Sequence, residues 1–104
     1  MKHRDILRSK ERLAHELPPL SEIVRGSLLR RTIRHRSGCS KCARGEGHQV
    51  WVLTVGYAGG KTKQLSLRPE QREQVERWLN NYKDLKTKLE KICELNQKLL
   101  RPEE

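Results

Sequence analysis

The densest set of chemically capable side chains is His35, Cys39, Cys42 and His48, spaced H-x3-C-x2-C-x5-H. A Cys-x2-Cys turn aims two sulfurs at one point, and thiolate with imidazole is the donor set a tetrahedral zinc site prefers. One Zn2+ held by all four would tie together the elements that flank the loop, so metal binding would contribute to folding. The other open reading is a pair of free cysteines with incidental histidines in a basic loop, because the usual second Cys-x2-Cys is absent. No βαβ pattern surrounds the pair, which argues against redox exchange. Four ligands would close the metal, leaving Glu46 without a bound water to activate as general base. Paired carboxylates, a Ser/His/Asp set and a phosphate-cradling loop are missing too; Gly45-x-Gly47 stands without the longer fingerprint. The sequence is therefore read as that of a non-enzyme. Cys93 is read as a small packing residue, and His3 and His15 as polar positions of an N-terminal helix.

The same stretch concentrates positive charge. Residues 20–68 carry ten Lys/Arg against two acids, whereas residues 69–104 carry eight of each sign. A cationic block beside a balanced segment is an electrostatic footprint for a polyanion. The candidate contacts are Arg30, Arg31, Arg34, Arg36, Lys41, Arg44, Lys61 and Lys63, with Arg25 and Arg68 nearby. The sequence does not separate DNA from RNA. Trp51 and Tyr57 are of a type that stacks on bases, although strand aromatics more often serve a core. The alternative function is a protein–protein adaptor whose basic sheet meets an acidic partner.

Three regions must position these residues. Residues 1–19 hold a short amphipathic helix over 3–17, with Ile6, Leu13 and Leu17 on one stripe and Pro18-Pro19 as its stop. Residues 20–68 form the basic module. Ser21 is placed to cap a single turn through Val24 that Gly26 would close. Strands are expected at Ser27–His35, Gln49–Tyr57 and Lys61–Leu67, with Ala58-Gly59-Gly60 as a hairpin turn. Alternation puts Arg30, Thr32 and Arg34 on one face of the first strand and Leu29 and Ile33 on the other. Thr62, Gln64 and Ser66 share a face of the third. The expected result is an apolar face on a helix and a polar, cationic face outward, as in sheets that enter DNA grooves.

Residues 69–104 form a long helix that starts at Pro69 and runs unbroken to Leu100. Val75, Trp78, Tyr82, Leu85, Leu89, Ile92, Asn96 and Leu99 step by 3 and 4, the spacing of a coiled-coil seam. The first turns would cover the sheet. Leu85, Leu89, Ile92, Asn96 and Leu99 would then pair with another helix, Asn96 fixing the register. Two partners are open: the N-terminal helix folded back, or a second chain. The short N-terminal stripe and the constraint of Pro18-Pro19 favour the homodimer. No apolar run spans a membrane or resembles a secretory signal, so a cytoplasmic protein is expected. The three cysteines, an odd number, fit a reducing compartment.

Gly26-Ser27-Leu28, the Cys39…Cys42-Ala43-Arg44-Gly45 loop with His48, Gly59-Gly60-Lys61-Thr62, and the helix with Trp78, Tyr82 and Glu94-Leu95-Asn96 resemble a bacterial family. Its members are short basic proteins that carry a domain of unknown function and are often encoded near transposases. The similarity covers roughly residues 24–100. In that family cysteine often stands where this chain has His35, and also two residues before Cys42, where this chain has Ser40. The resemblance implies a mobile-element or defence setting. The order strand, hairpin, helix is also similar to the three-stranded DNA-binding domains of tyrosine recombinases, an analogy of fold only. The expectation is an α+β protein: a three-stranded antiparallel sheet with a Cys/His loop packed on a long C-terminal helix, preceded by a short helix. Its expected role is as a nucleic-acid-binding accessory of a mobile-element or other nucleoprotein machine.

Overall fold

The computed structural model describes residues 2–33 and 48–103. Its elements are α1 (His3–His15), β1 (Ser27–Ile33), β2 (His48–Gly56), β3 (Thr62–Leu67) and α2 (Arg72–Leu99), an α+β arrangement. Single 3-10 turns at Ala58–Gly60 and Pro69–Gln71 precede β3 and α2. The chain divides into two compact units: a sheet unit, Arg25–Leu79, and a helical unit made of Met1–Val24 with Asn80–Glu104.

In the sheet unit the order is β1-β2-β3, antiparallel throughout. The β2–β3 turn forms because Gly59 and Gly60 take φ of 81° and 77°, which side chains resist, and Tyr57 N–H donates to the Lys61 carbonyl at 2.7 Å. Val52, Leu53, Val55, Val75 and Leu79 are the buried apolar residues of this unit. Val52 and Leu53 project to opposite faces of β2, yet each is 3% exposed, so both faces of the central strand are covered. Ser21–Val24 does not form the expected helical turn. Glu22 N–H closes a turn on the Pro19 carbonyl instead (3.1 Å), and Gly26 (φ 134°) leads straight into β1.

In the helical unit α1 runs antiparallel to the distal part of α2. His3 Nε2 lies 2.9 Å from the Arg101 carbonyl, Lys10 Nζ donates to Asn96 Oδ1 at 3.0 Å, and Lys88 Nζ donates to the Glu16 carbonyl. Lys88 thus brings a cation to the C-terminal end of α1, where the helix dipole is negative. Asn81 Nδ2 donates to the Glu22 carbonyl at 3.0 Å and holds the connector. Ile6, 1% exposed, and Leu85, 9% exposed, are the buried apolar residues here.

The covered stripe on α2 keeps Leu85, Ile92 and Leu99 of the expected seam but takes Lys88 and Leu95 in place of Leu89 and Asn96. Asn81, Leu85, Lys88, Ile92, Leu95 and Leu99 are buried or half-buried, whereas Leu89 is 46% exposed and Asn96 is exposed. At about 100° per residue, Leu89 and Asn96 sit roughly 60–80° around the axis from the middle of that stripe. Apolar content alone favours Leu89 over Lys88 and Leu95 over Asn96. Two polar residues nevertheless join the covered stripe, because Asn81 and Lys88 satisfy carbonyls of the returning N-terminal segment. Of the two partners open to the distal stripe, α1 occupies it within the chain.

Candidate nucleic-acid interface

The ladder decides which side chains share a face, because directly paired residues of an antiparallel sheet project together. Arg30 pairs with Trp51, and Trp51 with Leu67; Leu28 pairs with Leu53, and Leu53 with Leu65; Val55 pairs with Lys63. These residues, with Thr32 and Gln49, form one face. Leu29, Val52 and Ser66 form a rung of the other, as do Ser27, Thr54 and Gln64. Arg31 and Thr62 lie on this second face as well.

Two expectations are corrected by this register. Arg30 and Thr32 do share a face, but Thr62, Gln64 and Ser66 lie on the opposite one, so the polar strands do not merge into a single cationic surface. Leu28, paired with buried Leu53, is the half-buried leucine of β1, while Leu29 is 42% exposed. Adjacent leucines give alternation nothing to choose between, and a one-residue change of register exchanges the faces.

Two aromatic rings, one in the middle of β2 and one just beyond its C-terminal end, have arginine over them. In mid-strand Trp51, half-buried, has the Arg72 guanidinium carbon 4.7 Å and that of Arg30 5.7 Å from its ring centroid. Arg72 reaches the ring because the 3-10 turn at Pro69–Gln71 starts α2 directly after β3. Gln71 Oε1 accepts from the Arg68 N–H at 3.0 Å there. On the same face Gln49 Nε2 donates to Thr32 Oγ1 at 2.7 Å. At the hairpin end Tyr57 is 49% exposed, with Arg25 4.7 Å from its centroid. Arg25 is held there by a 2.7 Å hydrogen bond from its guanidinium to the Gly56 carbonyl.

Residues 25–33 and 48–68 contain Arg25, Arg30, Arg31, Lys61, Lys63 and Arg68 and no Asp or Glu. All six are exposed. Among the described residues only Arg68 of these has a carboxylate partner, Glu70 at 3.1 Å. Of the sequence candidates, Arg30 and Lys63 are thus placed on one face, Arg31 on the other, and Lys61 beside the hairpin turn. Arg34, Arg36, Lys41 and Arg44 lie outside the described residues. Arg72 escaped the sequence reading because charge there is balanced; its position after Pro69 is what carries it to Trp51.

Of the proposed zinc ligands, His35, Cys39 and Cys42 lie outside the described residues. His48 opens β2, and its backbone pairs with Ile33. Among the described residues no cluster of three His, Cys, Asp or Glu side chains is placed to hold a metal. Cys93 is exposed and unpaired, not packed as expected. A groove of about 440 Å3 in the helical unit is lined by charges of both signs, including Arg12, Glu16, Lys91 and Glu94, and favours no ligand charge. No helix among the described residues is long and apolar enough to cross a membrane. No protein-family model, curated protein or solved structure matches the chain.

Proposed function

We propose that the sheet unit binds nucleic acid, without catalysis, as an accessory of a nucleoprotein machine such as a mobile-element apparatus. The observation that carries this is the run of six exposed cations on the strands and hairpin with no carboxylate among them. Such a set of cations attracts a polyanion, and each one that neutralises a phosphate releases a counterion condensed on the nucleic acid, which favours binding. The test is fluorescence anisotropy with labelled duplex DNA and hairpin RNA across a salt series. Affinity is expected to fall steeply with salt. Arg30→Ala/Lys63→Ala should weaken binding on all sequences and lower the salt slope by about two, one per lost phosphate contact. Parent-like affinity and slope in that variant would remove the sheet as the contact surface.

A second reading is favoured by the outward edge of α2. Leu89, Cys93, Asn96 and Leu100 are exposed along one side of the helix, with Leu100 at 85%. We propose this edge as the seat of a partner helix, in a homodimer or a complex, which would let two basic sheets engage one polyanion.

A further inference from the structure

We infer that the hairpin tip is a stacking site for an unpaired base, so that the preferred ligand is a single polynucleotide strand and not a duplex. This rests on the nucleic-acid reading above and specifies the form of ligand.

Tyr57 leaves half of its surface in water (49% exposed), although a ring that size has much to gain from burial. It is also held still. Its N–H donates to the Lys61 carbonyl at 2.7 Å, which fixes the backbone beneath the ring. Arg25 lies 4.7 Å from the ring centroid and is itself tethered to the Gly56 carbonyl at 2.7 Å. The pair is therefore a preordered platform of one aromatic and one guanidinium plane, the two surfaces on which bases stack. A preordered platform loses little side-chain entropy on binding.

The surroundings fit a strand's backbone. A side chain built on Gly56, Gly59 or Gly60 would meet nothing within 4 Å, so a ligand can approach the turn closely. Lys61 and Lys63 flank it, both exposed, and the nearest acid in the sequence on either side of the hairpin is Glu46 or Glu70. Trp51, in the middle of β2, does not offer an equal platform. It is half-buried, two arginines lie over it, and Leu53 and Val55 between the two rings are buried at 3% and 6%. In a duplex the bases are stacked on each other and closed to such a ring, so Tyr57 would gain nothing from one.

The test compares labelled 20-nucleotide oligothymidylate and oligouridylate with a duplex of equal length, using the full chain. The expected result is tighter binding of both single strands than of the duplex. Tyr57→Ala should weaken single-strand binding roughly 5- to 150-fold and leave duplex binding within about twofold, whereas Tyr57→Phe retains parent affinity. Lys63→Ala should weaken both ligands alike. Because Tyr57 is half-exposed, the alanine variant should unfold at nearly the parent temperature, which circular dichroism checks. A duplex preference, or equal loss on both ligands in Tyr57→Ala, would overturn the stacking site while leaving the nucleic-acid reading intact. Binding to no ligand at low salt would overturn both.

Discussion

Gly26→Ala should be the most damaging single methyl group added to the sheet unit. Gly26 has φ 134°, and a Cβ there would lie 2.6 Å from the Thr54 carbonyl oxygen, 3.0 Å from Leu53 Cδ1 and 3.1 Å from Val55 Cγ2. None of these can yield easily. Thr54 pairs with Ser27 in the ladder, and Leu53 and Val55 are 3% and 6% exposed. The unfavourable φ costs about 1–3 kcal/mol and the overpacking about 1–3 kcal/mol more. The total, about 2–6 kcal/mol, is a large share of the roughly 5–15 kcal/mol that stabilises a native protein. Gly59→Ala is the control. Its φ of 81° is also unfavourable, but nothing lies within 4 Å, so it should cost only about 1–2 kcal/mol. Urea unfolding followed by circular dichroism measures both, with the slope expected to stay constant while the midpoint moves. Heating should show a melting temperature lower by about 4–8 °C per kcal/mol lost. Equal losses in the two variants, or a Gly26→Ala protein within about 0.5 kcal/mol of the parent, would refute the close approach of Gly26 to β2.

Protein purified without a histidine tag should contain about one zinc per chain by elemental analysis, and Cys42→Ser should lose the metal and melt at lower temperature. Metal-free protein whose melting temperature does not change on chelation would end the zinc reading. Leu89→Lys should convert a dimer to a folded monomer by light scattering, whereas Leu85→Lys should unfold the helical unit, because Leu89 is 46% and Leu85 9% exposed. A parent protein that stays monomeric at high concentration would exclude the homodimer.

The elements were legible because their local signals agree with their surroundings. The hairpin at Ala58–Gly60 follows from paired glycines, α2 from a Pro start with no later breaker, and α1 from its stripe and Pro18-Pro19 stop. Faces and partners were less legible. Leu28 and Leu29 are interchangeable to alternation, so only the pairing with Leu53 and Val52 separates them. On α2 the heptad correctly marks Leu85, Ile92 and Leu99, but not Asn81 and Lys88, whose value lies in the carbonyls of Glu22 and Glu16 far away in sequence. The return of α1 is not legible either: its apolar stripe is short, Pro18-Pro19 constrains the path, and side-chain bonds to distant carbonyls leave no periodic trace. The arginine–aromatic pairs were half visible, since Trp51 and Tyr57 stood out but their partners Arg72 and Arg25 come from other elements.

The split of charge between faces bears on how a polyanion would be read. Reading base edges from a groove requires the recognising side chains on one face, where they can reach successive pairs together. The ladder gives Arg30 and Lys63 to one face and Arg31 with Gln64 to the other. Burial at Val52 on one side and Leu53 on the other leaves no flat central surface to lay in a groove. What both faces share is the rim of the sheet and the hairpin tip, where Arg25 lies against the Tyr57 ring and the exposed Lys61 and Lys63 follow the turn. A rim of cations suits phosphates, which attract from any direction over a screening length of about 8 Å, and these contacts position a strand without specifying its sequence. Stacking on Tyr57 adds affinity that every base can satisfy. On the proposed nucleic-acid function, both terms would favour sequence-tolerant binding of a strand at the tip in place of the groove-docked sheet that alternation alone suggests.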